Sequence, residues 1–144
     1  MRFKEFILEN RIDKIIKYAK SVSKDKFLEM AKSGKIGGET ISDMLVYMDK
    51  NSKNKLNFQE IRKELEEAGS SNTFFLYKIN TKKLKIQDIN IVRKENKKFQ
   101  GTKSKLPIIV GKDYFVIDGR HRSVGTNGEI SAYLPAEIFY NEVQ

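Results

Sequence analysis

The segment Asp118, Gly119, Arg120, His121, Arg122 brings more anion-binding and proton-handling chemistry together than any other stretch of this chain. A carboxylate can hold a proton or Mg²⁺, an imidazole can move a proton, and guanidinium groups clasp phosphate oxygens through charge-assisted hydrogen bonds. Gly119 lets the backbone come close to a ligand. Amides of a helical turn opening after it are unpaired donors at the positive end of a dipole. The pattern describes a phosphate-binding turn, with Gly119, Arg120, His121, Arg122 and Ser123 as phosphate contacts and Asp118 and His121 as candidate catalytic groups. Each also has a structural reading. Asp118 can cap the helix or pair with Arg120 or Arg122, which would make the cluster a structural device. His121, the only histidine, can simply pack, but its setting beside two arginines and a glycine favours function.

Strands must deliver such a turn. Leu106 to Val110 and Tyr114 to Ile117 are short β-branched and aromatic runs separated by Gly111 and Lys112, and a short helix is expected after Gly119. Phe74 to Ile79 and Ile86 to Val92 read as further strands, with one or two more across Ala132 to Tyr140. The polar stretch Arg93 to Lys105 reads as an irregular loop.

Before Ser71 the apolar period is helical. Phe3, Phe6, Ile7, Ile12, Ile15, Ile16, Ala19 and Val22 recur at spacings of three and four. Ser23 reads as the cap of a second helix, a third is expected over Glu39 to Met48, and Asn57 reads as the cap of a fourth that stops at Gly69. The fold class expected is therefore α+β: a helical N-terminal half over residues 1–70, then a small mixed-sheet domain over residues 71–144.

Residues 49–60 (DKNSKNKLNFQE) have the length of an EF-hand loop, with Asp49, Asn51, Leu56 and Glu60 at appropriate positions. Lys53 stands where an oxygen ligand belongs and Asn54 replaces the glycine, so Ca²⁺ binding is not expected; a polar turn capped by Asn57 is.

Charge is uneven. The formal +9 of the 144 residues equals that of residues 78–112 alone, where 11 basic side chains face 2 acidic ones; residues 1–77 carry +3 and residues 113–144 carry −3. Lys94, Lys97, Lys98 and Lys103 in that stretch are candidate nucleic-acid contacts, against the alternative that lysines merely solubilise edges and loops. The absence of cysteine excludes thiolate metal sites, disulfides and cysteine nucleophiles, one histidine leaves little for a His-rich metal site, and no metal-ligating residues are proposed. No apolar run approaches the roughly 18 residues of a membrane span and no secretory leader is visible, so a cytoplasmic location without a membrane partner is expected.

The run LPIIVGKDYFVIDGRHR, residues 106–122, resembles the signature of the ParB/sulfiredoxin superfamily: a Pro-containing strand, a turn, a second strand and a Gly-x-[His/Arg]-Arg element opening a helix. The resemblance spans about Thr73 to Tyr140, and the DGxHR form is also similar to nucleotide-hydrolysing relatives in DNA-modification and restriction systems. It implies a ParB/sulfiredoxin-like mixed sheet that binds a nucleoside triphosphate with Mg²⁺. Gly119, His121 and Arg122 would contact the phosphates, and Ser104 or Lys105, with Lys103, would close over them. NTPase or phosphotransferase activity is the chemistry implied; nuclease action is disfavoured by the lack of a dense carboxylate cluster. Arg120 stands where sulfiredoxins carry cysteine, which excludes sulfinic acid reduction. Two departures accompany the match: no helix is expected in Arg93 to Lys105, where the family has one before the Pro strand, and the chain does not run on into the DNA-reading region of chromosome-partition proteins.

Met1 to Glu9 (MRFKEFILE) is similar to targeting peptides of bacteriophage internal head proteins, which implies a phage protein packaged in the virion head and delivered to the host cytoplasm. An ordinary amphipathic helix is the alternative. The rival functional reading is a non-enzymatic interaction protein that keeps the fold as a scaffold and binds nucleic acid or a host protein.

Overall fold

The computed structural model describes residues 3–51, 57–67, 73–98 and 106–144, and only the backbone of residues 3–10 and 97–98. Strand β2 (Thr73–Asn80) buries Phe75 and Ile79 in one apolar cluster and Phe74 in another. A strand buried on both faces needs helices on both. Strand β5 (Glu129–Pro135) pairs antiparallel with β2, strand β3 (Ile108–Val110) runs parallel to β5, and strand β4 (Val116–Asp118) lies antiparallel on β3. The short strand β1 (Glu39–Thr40) covers the free side of β2, completing the mixed sheet β1-β2-β5-β3-β4.

Helices α1 (Phe3–Ser21), α2 (Lys24–Lys32) and α7 (Ala136–Val143) cover one face, where Ala19, Phe27 and Phe139 meet Phe75, Ile108 and Leu134. Helices α3 (Ile41–Asn51) and α4 (Phe58–Glu67) cover the other, packing Met44, Met48, Ile61 and Leu65 on Phe74, Ile109 and Tyr133. Helices α5 (Ile89–Lys98) and α6 (Arg120–Val124) pack against each other, which makes seven α-helices among the described residues.

Local chemistry starts these helices where the sequence indicates. Ser23 Oγ accepts from Lys26 N at 3.2 Å. Asn57 Oδ1 accepts from Glu60 N at 3.1 Å while Asn57 Nδ2 donates to Glu60 Oε2 at 3.3 Å, a reciprocal cap. At α3 the Thr40 N–H donates to Asp43 Oδ2 and the Asp43 N–H to Thr40 Oγ1, so the expected third helix starts two residues late, after β1.

Three expectations are corrected. The strand expected over Ile86 to Val92 and the irregular loop expected from Arg93 give way to α5: Asp88 O accepts from Ile91 N and Val92 N, and Val92 is buried. A helix thus does precede the Pro-containing strand. Tyr114 lies in a 3-10 turn over Lys112–Tyr114, with left-handed φ at Asp113 (56°) and Tyr114 (69°), so β4 starts at Val116. Residues 136–140 are helical, because Pro135 precedes a set of buried positions (Ala136, Ile138, Phe139, Val143) at helical spacing.

The cut expected at Ser71 lies outside the described residues. Both apolar clusters draw on residues from either side of it, Phe27 with Phe75 in one and Leu65 with Phe74 in the other. Residues 52–56 of the EF-hand look-alike also lie outside the described residues, as do Lys103, Ser104 and Lys105 and the side chains of Lys97, Lys98 and the Met1 to Glu9 peptide.

Candidate phosphate-binding site

Strand β4 ends at Asp118 and the chain turns into α6 through Gly119, whose φ is 96°. A Cβ there would lie 2.4 Å from Ile108 Cγ2 and 2.8 Å from Arg122 Nη2. Glycine is required both for the left-handed backbone and for the close approach of two neighbours.

The turn folds Arg122 back over itself. Its Nη2 donates to Pro107 O at 3.2 Å and to Asp118 Oδ2 at 3.3 Å, while its Nε is buried without an acceptor. Arg120 Nη1 donates to Gln87 O at 3.4 Å. His121 Nε2 lies 2.6 Å from Glu95 Oε2, and Asn96 Nδ2 donates to the His121 carbonyl at 3.0 Å. Helix α5 therefore braces both the ring and the backbone of the motif. Since α6 has five residues, little dipole is available, and the positive charge here comes from the guanidinium groups.

Helix α4 forms the opposite wall. Asn57, Glu60 and Glu64 face Asp118 to Arg122 across a cleft of about 320 Å³. Burial, with Glu60, Asp118 and Glu67 nearby, holds the Glu64 carboxyl above the ordinary carboxylate range despite the opposing pull of Arg120. Three carboxylates and two guanidinium groups thus share one cleft, an arrangement unfavourable to a bare anion. Among the described residues no group of three acidic or histidine side chains is arranged to hold a metal ion. Mg²⁺ typically uses only one or two carboxylates and completes its shell with water and substrate phosphates. One or two of the cleft carboxylates Glu60, Glu64 and Asp118, the last already engaged by Arg122, would serve Mg²⁺ that arrives with a phosphate ligand.

No family model, curated protein or solved structure matches this chain. The site therefore rests on its own geometry.

The cleft brings together Asp118, Gly119, Arg120, His121 and Arg122 from the expected set. Ser123, expected to contact phosphate, is instead buried, and its hydroxyl donates to Gly119 O at 2.8 Å; one helical turn carries it inward, and it acts on the shape of the turn. Asp118 does not cap α6, whose N-cap is Gly119 without a side-chain bond. The paired alternative is the one realised, with Arg122 as partner, so in the absence of ligand the pair has the structural role of holding the turn closed. Lys94 is exposed on α5.

Sequence reasoning missed Glu64, Gln87, Glu95 and Asn96. Glu95 and Asn96 lie in a stretch whose polarity reads as loop; the spacing of Ile89, Val92 and Asn96 is the signal for a helix with one inward face. Glu64 belongs to what reads as the solvent side of α4, and only the placement of α4 over β4 turns it toward the motif.

Proposed function

We propose that this protein binds a nucleoside phosphate together with Mg²⁺ in the cleft between α4 and the Gly119 turn. The observation that carries the reading is the convergence of Arg120 and Arg122 on one cleft at a turn only glycine can make, with the buried Arg122 Nε lacking an acceptor. Helix α5 supports it, since the ParB/sulfiredoxin resemblance calls for a helix before the Pro-containing strand. In this reading Asp118 positions Arg122, and His121, held by Glu95, is the proton-exchanging group. Hydrolysis or phosphoryl transfer is the chemistry these groups suit, with guanidinium charge stabilising the transferring group.

Amide NMR tests where the ligand goes. Addition of Mg²⁺ and ATP or CTP is expected to shift the resonances of Gly119 to Ser123 together with those of Glu60 and Glu64. Shifts confined to α5 and Lys78 of β2 would contradict the assignment.

A second reading is favoured by one observation: α5 leaves Ile91 57% exposed beside the exposed Arg93 and Lys94. Such a face suits contact with a nucleic-acid backbone.

A further inference from the structure

A second cleft, of about 550 Å³, adjoins the first and shares Glu64, Ile117 and Arg120 with it. Its remaining walls include Gln87, Asp88, Asp113 and Phe115. Three features set it apart from an ordinary surface dent. Phe115 stays 45% exposed although it follows directly on the strained turn before β4, and the Lys85 ammonium lies 5.4 Å from its ring centre. The non-glycine residues with left-handed backbone among the described ones are Asp88, Asp113 and Tyr114; the first two line this cleft and the third is the neighbour of Phe115. Strained backbone of this kind, at a cost of about 1–3 kcal/mol per residue, gathers at ligand sites. Finally, the lining carries four carboxylates (Glu64, Glu67, Asp88, Asp113) against Lys112 and Arg120, so it repels phosphate while offering acceptors.

We infer that this second cleft is the nucleoside subsite of the same ligand, with the base stacked on Phe115 and the Asp88 and Asp113 carboxylates accepting from ribose hydroxyls or an exocyclic amine. The inference rests on the phosphate reading of the first cleft. Arg120, common to both, marks the junction where sugar meets phosphate. A flat, uncharged base with hydroxyl and amine donors complements an exposed aromatic ring set among carboxylates; an inorganic polyphosphate does not.

The test compares Mg²⁺-ATP, Mg²⁺-CTP and Mg²⁺-tripolyphosphate by calorimetry on the wild-type protein, Phe115→Ala and Phe115→Tyr. Base stacking lost on alanine substitution corresponds to roughly a 5- to 100-fold change in affinity. The wild type is expected to bind at least one nucleotide about tenfold or more tightly than tripolyphosphate. Phe115→Ala should bring the two within about twofold while leaving tripolyphosphate binding unchanged, and Phe115→Tyr should restore the preference. The partial exposure of Phe115 makes both variants compatible with the fold, which circular dichroism checks. Equal wild-type affinity for nucleotide and tripolyphosphate, or a preference that survives Phe115→Ala, overturns the nucleoside subsite and leaves the phosphate site standing. Absence of binding by both ligands overturns the phosphate reading and this inference with it.

Discussion

The Asp118 carboxylate and the Arg122 guanidinium meet at 3.3 Å across the Gly119 turn, each about one-fifth exposed. Partial burial makes the pair more than a solvated surface contact, and the same Arg122 nitrogen also bonds the Pro107 carbonyl. The guanidinium is thus fixed from two sides before any ligand arrives. Such fixing is how a binding group avoids the entropic cost of ordering a long side chain at the moment of binding.

Gly119→Ala is expected to be strongly destabilising. It combines a left-handed φ of 96° with a Cβ 2.4 Å from Ile108 Cγ2. The cost should be about 2–4 kcal/mol, read as a fall in Tm of roughly 6–12 °C. A thermal melt unchanged from wild type would show that the turn relaxes freely.

Glu64→Gln probes the acidic wall. Glu64 crowds with Glu60 and Asp118 at the mouth of the guanidinium cleft. Without Mg²⁺, pyrophosphate should bind the variant several-fold more tightly than it binds wild type, since one repulsive charge is gone. Because burial and its neighbours raise the Glu64 pKa, wild-type pyrophosphate binding without Mg²⁺ should strengthen as pH falls toward that elevated range, and the variant should show less of this dependence. Equal affinities and equal pH profiles would remove Glu64 from the site.

Tyr114 reports on the turn before β4. Its hydroxyl donates to Glu142 Oε2 at 2.9 Å, and burial, reinforced by that bond and the Glu142 charge, pushes its pKa up to about 12. A folded pKa above the unfolded value of about 10 means stabilisation that is full below pH 10 and is lost as pH rises to about 12. Tyr114→Phe should lower stability by about 1 kcal/mol at neutral pH and flatten part of the alkaline decline in denaturant melts. Tyr133, buried beside Glu39 and also raised, would still contribute.

Charge reversal at Lys94 separates the two functional readings. If the exposed face of α5 binds nucleic acid, Lys94→Glu should weaken that binding about equally for all sequences and reduce its salt dependence, as expected for a lost phosphate contact. Nucleotide binding at the Gly119 cleft should be unaffected, because Lys94 does not line it.

Helices capped by side chains were legible in the sequence. Ser23 and Asn57 announce α2 and α4 because the cap bond is local, three residues long. The Gly119 motif was legible for the same reason: left-handed turn, guanidinium pair and preceding strand are contiguous. Helix α5 was harder to read, since Ile89, Ile91 and Val92 carry strand propensity that masks the helical spacing of Ile89, Val92 and Asn96; burial of Val92 and the reach of Glu95 and Asn96 to His121 favour the helix. The acidic wall was also hidden, because nothing local tells Glu64 that α4 crosses β4. The second cleft depends on residues as far apart as Glu64 and Phe115, brought together where α4 packs over β4.

Calorimetric titration of ATP, CTP and ADP with Mg²⁺ into the wild-type protein and Arg122→Ala tests the central claim most directly. The account predicts wild-type binding of at least one nucleotide tighter than about 1 mM, weakened roughly 10- to 100-fold in Arg122→Ala by loss of its charged hydrogen bonds. Wild-type affinity weaker than about 1 mM for all three, or undiminished binding by a folded Arg122→Ala, would contradict it.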